Sequence, residues 1–378
     1  MLHQRPLTVR KWEPLCLGLA LVLALATPSW GASPYPPSTV IRGVAWDMQT
    51  QVRLAPGSDL WPVTWANDGN FYTSWGDGGG FGGTNSSGRV TLGVARLSGT
   101  PENLTAVNVF GGSNGLTPAT FDGKANGILS VGNVLYMSVV EQSAWLRAKI
   151  GKSTDHGLTW TFNSVNGWDF AEPDGAFSDM TFLNFGQNYT GARDNYVYVY
   201  SQDHRANSTS DGRTSDVAMF RVPKDRIMTR TAYEYFAGLD VSGNPKWTTN
   251  IKARAPVFSI PGGIGWGVRV DYNPGLKRYL LTNWHAWNGS WGIYDAPEPW
   301  GPWTTVVYYT NWLDNVAKFG FSFPQKWLSA NGKKFVMVFS GQGQYDAWCT
   351  IRGTFLTGSD DTTPPSVPTG VSVTQTGP

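Results

Sequence analysis

Short apolar stretches separated by turns rich in Gly, Asn and Asp recur along the chain from about residue 40 to residue 358. In the first unit, Leu60 to Ala66 is followed by a turn at residues 67–70 and then by Phe71 to Trp75. Such turns are typical of β-hairpins, because Asn, Asp and Gly tolerate the positive φ angles that the turns need. Four more hairpins are predicted at residues 127–140, 180–200, 267–283 and 319–340.

Each predicted hairpin is followed by a third apolar strand. These third strands lie at residues 92–97, 148–153, 217–222, 290–294 and 348–355. Repetition of one sheet unit predicts an all-β fold, and we interpret the units as the blades of a five-bladed β-propeller. A fourth, outer strand follows in the first four units only. We expect the N-terminal stretch Val40 to Trp46 to supply the missing outer strand of the fifth and so close the ring.

Composition supports this prediction and excludes other classes. Charged residues make up 15% of the chain and aromatic residues 14%, with 45 Gly and 19 Trp. A disordered chain lacks this aromatic content, and a helical bundle has far more charged helix formers. The net charge is only +2, and the Lys and Arg residues are scattered along the sequence without forming a basic cluster. No nucleic-acid partner is therefore expected.

The two ends of the chain differ from the repeating region. Residues 1–32 combine a basic start, a twelve-residue apolar run from Leu15 to Ala26 and small residues at Ala24 and Ala26, which is typical of a signal peptide. We therefore expect a secreted protein, extracellular or periplasmic, with no membrane contact after cleavage. Residues 359–378 begin as a Pro- and Thr-rich linker and then resemble the opening of a truncated fibronectin type III-like domain. The predicted propeller occupies residues 33–358.

One octapeptide carries a motif of its own. Residues 153–160, from Ser153 to Trp160, fit the pattern S-x-D-x-G-x-x-W. This pattern resembles the Asp-box of sialidase-type propellers, which lies on the hairpin between the third and fourth strands of a blade. Asp155 is suited to accept backbone N–H bonds inside such a turn, so we expect it to be structural.

Blade topology predicts which loops share the ligand-binding face. Loops that enter first strands and loops that leave second strands lie on one face around the axis, where propellers hold ligands. Residues at the first kind of loop are Asp59, Asn126, Asp179, Arg269 and Lys318. Residues at the second kind are Asp77, Glu141, Asp203, His204, Trp284, His285 and Gln342. This concentration of charge in a chain with few charges indicates a functional face.

Carboxylates on that face suit glycoside hydrolysis, which needs one protonated carboxyl and one carboxylate. The predicted catalytic residues are Asp59, Asp77, Asp179 and Asp203. The predicted substrate-binding residues are Trp75, Glu141, His204, Arg269, Trp284, His285, Lys318 and Gln342. The histidines are too dispersed for a zinc site and no cofactor is predicted, although oxygen ligands in the axial channel would be compatible with calcium.

The stretches Ser58 to Trp65, Trp75 to Gly80 and Asn283 to His285, with Pro299 to Trp303, resemble domain-of-unknown-function family 4185. That group includes microbial endo-D-arabinanases, which are glycoside hydrolases. The resemblance covers roughly residues 40 to 358 and implies a five-bladed propeller with acidic catalytic residues at its axis. It implies Asp59 and Asp77 as the acid/base pair. It leaves the sugar undetermined, so an arabinan-like glycan is one expectation among several.

Three functions remain open from the residues. The first is an enzyme, a secreted glycoside hydrolase that cleaves a polysaccharide or oligosaccharide as a monomer. The second is a non-catalytic propeller that only binds glycans. The third is a polysaccharide lyase, with His204 or His285 as base and Arg269 bound to a uronate carboxylate.

Overall fold

The computed structural model describes residues 33–358 except 142–146, 164–169, 171–176, 178, 205–211, 287–288, 315, 342 and 344–345. The predicted signal peptide, the predicted linker and Gln342 lie outside the described residues. No helix in the described part of the chain is long and apolar enough to cross a bilayer.

The described strands form five antiparallel sheets arranged as the blades of a propeller. The N-terminal strand is β1 (Ile41–Leu54). Blade 1 contains β2 (Val63–Trp65), β3 (Phe71–Gly76), β4 (Leu92–Thr100) and β5 (Asn103–Phe110). Blade 2 contains β6 (Lys124–Val131), β7 (Val134–Val140), β8 (Ala148–Ser153) and β9 (Thr161–Phe162). The predicted all-β, five-bladed fold is confirmed.

Blade 3 is larger than its neighbours. It contains β10 (Thr181–Phe182), β11 (Tyr196–Gln202), β12 (Thr214–Pro223), β13 (Glu234–Leu239), β14 (Pro245–Thr248) and β15 (Pro256–Ile264). The ten-residue strand β12 pairs with β13 near its C-terminal end and with β15 near its N-terminal end, so one long strand supports two outer strands. The sequence pattern predicts a single outer strand here, and the length of β12 accounts for the difference.

The last two blades complete the ring. Blade 4 contains β16 (Arg269–Asn273), β17 (Arg278–Ala286), β18 (Ser290–Ala296) and β19 (Thr304–Tyr309). Blade 5 contains β20 (Phe319–Ser322), β21 (Lys334–Ser340) and β22 (Trp348–Thr357), with β1 as its outer strand. The pairing of β1 with β22 runs from Ile41 opposite Thr357 to Leu54 opposite Trp348. The predicted closure by an N-terminal strand is therefore confirmed.

Aromatic side chains fill the spaces between blades. Trp291 of blade 4 stacks on Phe321 of blade 5 with ring centroids 3.9 Å apart. Trp61, just before blade 1, meets Trp348 of blade 5 edge to face at 5.5 Å. Each large aromatic side chain buries about 150–250 Å² of surface, so these contacts stabilise the packing of one blade on the next. These rings also hold the inner strands in the register that positions the axial residues.

The turn between β8 and β9 has the hydrogen bonds of a tightly closed loop. Asp155 accepts the backbone N–H of Thr159 at 3.0 Å, and Ser153 accepts that of Gly157 at 2.8 Å. Trp160 donates its indole N–H to the carbonyl of Gly157 at 3.0 Å. Asp155 is thus engaged in local backbone bonds.

Candidate active site

Asp59 and Asp77 are brought together by a backbone bridge at the axial end of blade 1. The N–H of Asp59 donates to the carbonyl of Gly76 at 3.0 Å, and the N–H of Gly76 donates to the carbonyl of Asp59 at 3.1 Å. Asp77 follows Gly76 directly, at the point where β3 ends. The two carboxyl groups therefore occupy adjacent strands at the same end of the blade, as the topology of the hairpin predicts.

The carboxylate of Asp77 is held by two cations. Arg89 approaches it at 3.0 Å between Nη2 and Oδ1, and Lys124 forms an ion pair with the same oxygen. Lys124 is the first residue of β6 in blade 2, and its side chain is 4% exposed. The side chain of Asp77 is 28% exposed, so it remains open to solvent while its negative charge is compensated.

Gly76 makes room for this arrangement. A Cβ atom at this position would lie 2.8 Å from Oδ1 of Asp59 and 3.0 Å from Cδ of Lys124. Contacts that short require the neighbours to move. The missing side chain therefore allows the carboxyl of Asp59 and the stem of Lys124, from the next blade, to pack against the main chain of Gly76.

Burial raises the pKa of Asp59 well above its usual range, and the negative charge of Asp346 raises it further. The nearby ammonium of Lys124 opposes this effect, and the charge of Asp77 adds to it. Oδ1 of Asp59 is buried and has no hydrogen-bond donor among the described residues. These effects favour the protonated form of Asp59.

Asp346 is a third carboxyl at this position that sequence reasoning missed. It lies in the loop between β21 and β22, and its carbonyl accepts the N–H of Gly57 at 2.9 Å. Burial raises the pKa of its carboxyl, and the charge of Asp77 raises it further. The loop that leaves the second strand of blade 5 is equivalent to the loop that carries Asp77 in blade 1. Examining that loop beyond Gln342 would have found Asp346.

A second set of charged groups lies along the inner strands of blades 3 and 4. Asp179 and Arg269 are both buried. Burial raises the pKa of Asp179 to about 6, against the opposing charge of Arg269 and a hydrogen bond from the N–H of Gly267. Burial lowers the pKa of Arg269 to about 10, although Asp179 and Asp271 oppose this change. Arg269 also donates to the carbonyl of Leu60 at 3.3 Å, so it links blade 4 to blade 1.

Asp271 lies two residues further along the same inner strand. It accepts the N–H of Phe323 from blade 5 at 2.7 Å. Burial raises its pKa to about 6. It lines a small cavity together with Asn184 and Gln325, away from Asp59 and Asp77. Asp179, Arg269 and Asp271 therefore tie the blades together beside the axis, and none of them is as exposed as Asp77.

Asp203 does not fit the catalytic role predicted for it. Arg254 binds both of its oxygens, from Nε at 2.9 Å and from Nη2 at 2.8 Å. Both side chains are 1% exposed. The carboxylate is thus committed to a buried bidentate ion pair within blade 3, a structural arrangement.

The histidines and tryptophans predicted to bind substrate are mostly buried. Nδ1 of His285 lies 3.0 Å from the carbonyl of Gly263, and its Nε2 lies 3.2 Å from the hydroxyl of Tyr294. Burial lowers the pKa of His285 to about 4, which keeps the ring neutral. Burial also lowers the pKa of His204, against the charge of Asp203. A direct ligand contact does not fit the placement of His285.

The two predicted sugar-stacking rings are packed inside the fold. Trp75 is fully buried, and its indole lies against Gly80 and Gly93. Trp284 is buried and donates its indole N–H to the carbonyl of Trp266 at 2.8 Å. Neither ring presents a face to solvent, so stacking on a sugar does not fit either position.

The remaining predicted binding residues are engaged in ion pairs. Glu141 pairs with Arg147 at the end of β7. Lys318 is buried, pairs with Asp314 and donates to the carbonyl of Val316 at 2.7 Å. Within the described part of the chain, no group of three or more His, Cys, Asp or Glu side chains is arranged to hold a metal ion.

The arrangement brings a carboxyl favoured in its protonated form, Asp59, next to a charge-compensated and partly exposed carboxylate, Asp77. One can donate a proton, and the other can act as a base or a nucleophile. Asp346, Lys124 and Arg89 surround the pair and set its charge.

Two solved structures that are similar to this chain come from Bacteroides ovatus and Xanthomonas citri. A candidate hydrolase from Bacteroides ovatus is similar with a TM-score of 0.54 and 13% identity, covering 82% of this chain and 90% of that one. The GH43_1 enzyme from Xanthomonas citri is similar with a TM-score of 0.49 and 13% identity, covering 83% of this chain and 93% of that one. No curated protein matches the chain.

Residues 124–350 match the family described as Domain of unknown function (DUF4185). The matched region runs from Lys124 at the start of blade 2 to β22 of blade 5, and so includes Asp346. It covers more than half of the chain, and the chain belongs to the DUF4185 family.

Proposed function

We propose that the protein is a secreted glycoside hydrolase that cleaves a polysaccharide, with Asp59 as the proton donor and Asp77 as the carboxylate. The observation that carries this proposal is the difference in environment between the two side chains. Oδ1 of Asp59 is buried and lacks a hydrogen-bond donor among the described residues, whereas Oδ1 of Asp77 is paired with both Lys124 and Arg89. Hydrolysis of a glycosidic bond requires one carboxyl that donates a proton and a second that acts as a base or nucleophile. The similarity to solved structures supports the fold only. The proposed reaction is argued from the side chains of Asp59, Asp77, Lys124 and Arg89.

The reaction follows from those protonation states. Asp59 gives its proton to the glycosidic oxygen as the bond from that oxygen to the anomeric carbon breaks. Asp77 either takes a proton from the attacking water or bonds to the anomeric carbon before water replaces it. Both routes consume one water and return one proton to the enzyme. The anomeric configuration of the first product distinguishes them.

An arabinan-like polysaccharide is the substrate class we favour. The stretches 58–65 and 75–80 resemble a family whose members include endo-D-arabinanases. Export follows from the signal-like residues 1–32, and N-terminal sequencing of the exported protein tests it. A lyase receives less support, since His285 is buried and hydrogen-bonded to Gly263 and Tyr294. A role limited to glycan binding receives less support, since Trp75 and Trp284 are buried.

Hydrolysis is tested by incubating the purified mature protein with plant, algal and mycobacterial polysaccharides. New reducing ends and ultraviolet absorbance are read together. We expect reducing ends without absorbance from the native protein, and none from Asp59→Asn or Asp77→Asn. Reducing ends with absorbance that survive in both variants would indicate a lyase and overturn the proposal.

A matched control separates catalysis from folding. Asp225→Asn makes the same chemical change at an exposed residue in the turn after β12. It should hydrolyse at the native rate. Circular dichroism and thermal unfolding of all variants establish that the folded fraction is equal. Glycan retention without any product by the native protein would favour a binding propeller instead.

A further inference from the structure

The ionisable groups around Asp77 carry one more negative than positive charge unless one of the carboxyl groups is protonated. Three carboxyl groups, Asp59, Asp77 and Asp346, face two cations, Lys124 and Arg89. Both cations form their ion pairs with Asp77. Asp59 and Asp346 therefore have no cation bound directly to them among these groups.

The burial of two oxygens points to the same imbalance. Oδ1 of Asp59 and Oδ1 of Asp346 are both buried, and neither accepts a hydrogen bond in the described part of the chain. A buried carboxylate oxygen without a donor is costly, and the usual resolution is protonation of the group. A single proton on one of the two carboxyls also brings the five groups to neutrality.

The backbone fixes Asp346 next to the loop that leads into Asp59. Its carbonyl accepts the N–H of Gly57, two residues before Asp59, at 2.9 Å. Blade 5 therefore places a negative charge beside the acid of blade 1, across the point where the ring closes. No other contact is needed for Asp346 to act on Asp59 electrostatically.

We propose that Asp346 is a positioning residue whose charge keeps the proton on Asp59. The proposal rests on the function proposed above, in which Asp59 is the proton donor. Asp346 itself transfers no proton to substrate. The charged groups that face Asp59 from the neighbouring elements are Asp346, Lys124, Asp77 and Arg89. Because both cations are paired with Asp77, Asp346 is the negative charge in this group whose effect on Asp59 is not offset by a direct ion pair.

The direct test is titration of the side-chain carboxyl carbons by nuclear magnetic resonance in protein labelled at aspartate. The resonance missing from Asp59→Asn identifies Asp59. We expect it to titrate at a higher pH than exposed aspartates in the native protein, and to move to lower pH in Asp346→Asn. Asp346→Glu, which keeps the charge, should restore most of the native midpoint. An unchanged midpoint in Asp346→Asn would overturn the proposal.

Kinetics then connect the proton to the reaction. In Asp346→Asn the alkaline limb of the kcat profile should move to lower pH, with little change in KM. If the alkaline limb moves by one pH unit, kcat falls about tenfold at pH values above the midpoint of the limb and stays nearly native at lower pH. A merely structural role would lower kcat equally at every pH. If the titration moves but no polysaccharide is cleaved, the proposed function fails while the assignment of Asp346 stands.

Discussion

Lys124 of blade 2 forms an ion pair with Asp77 of blade 1, so a cation from one blade binds a carboxylate of the neighbouring blade. The lysine reaches Asp77 from the first position of an inner strand, and its stem passes Gly76. The ammonium is almost fully buried, whereas the carboxylate is not. The orientation of Asp77 therefore depends on a residue from the next blade.

Lys124→Met should reduce catalysis more than it reduces stability. The variant keeps the length of the side chain and removes the charge that orients Asp77. We expect kcat to fall by about tenfold or more, short of the 10²–10⁴-fold expected for loss of an acid or base itself. Steady-state kinetics and thermal unfolding measure the two effects.

Lys326→Met is the matched control for that variant. Lys326 donates to the carbonyl of Gly69 at 2.6 Å, at the turn on the opposite end of blade 1. Its loss should lower stability without changing kcat. Equal kcat losses in both variants would show that Lys124 acts through general stability.

Asp203→Asn should destabilise the fold while leaving the activity of the folded protein unchanged. The substitution removes the carboxylate that binds the buried guanidinium of Arg254 through two nitrogens. Removing one partner of a buried pair costs about 3–5 kcal/mol of unfolding free energy. Denaturant unfolding gives this cost, and kcat per folded molecule gives the activity. A native unfolding midpoint combined with lost activity would instead make Asp203 a catalytic residue.

The parts of the structure that sequence reasoning predicted are those determined locally. Hairpin turns such as residues 67–70 and the positions of Asp59 and Asp77 at one end of blade 1 follow from strand direction and chain order. The role of Asp203 could not be predicted in this way, because Arg254 arrives from 51 residues further along the chain. The burial of Trp75 depends on Gly80 and Gly93, whose missing side chains make room for the indole ring.

Asp271 should make the protein less stable as pH rises from about 4 to about 6. Its pKa is about 6 in the folded protein and near its ordinary value of 3.8 in the unfolded chain. Within this window the folded state holds a proton that the unfolded state has lost, so the free energy of unfolding falls with pH by up to about 3 kcal/mol. Asp271→Asn should remove the part of the slope that Asp271 contributes, while the part from Asp179 remains, and it keeps an acceptor for the N–H of Phe323. Denaturant unfolding from pH 4.5 to 8 measures it, with Asp225→Asn as control.

His285 should contribute the opposite slope. Its pKa is about 4 in the folded protein, below the ordinary value of 6.5, so the unfolded chain takes up a proton first as pH falls. The stability that neutral His285 contributes is therefore lost between about pH 6.5 and pH 4. His285→Phe should lower stability at pH 7, by loss of the bond to Tyr294, and should flatten this acid slope. Its kcat should remain native, and a lost kcat would revive the lyase interpretation.

Gly76→Ala is the smallest change that should displace the site. The added methyl group would lie 2.8 Å from Oδ1 of Asp59 and 3.0 Å from the stem of Lys124, so both side chains must move. Displacement of a reacting group by about 1 Å can cost 10²-fold in rate, so we expect kcat to fall by about tenfold to 10²-fold. Because Gly76 does not require a positive φ and the groups that the methyl meets, on Asp59, Lys124 and Leu60, are all side chains, thermal stability should fall much less.

Gly358→Ala controls for the general cost of adding a methyl group. A Cβ there would contact the guanidinium of Arg42 at an ordinary 3.4 Å, after the last strand of blade 5. This variant should keep both native kcat and native thermal stability. Native kcat in Gly76→Ala would show that the packing of Asp59 and Lys124 against the main chain is not needed for catalysis. A low kcat with an unchanged thermal midpoint would place the effect at the site itself, where the methyl group meets Asp59, Lys124 and the side chain of Leu60.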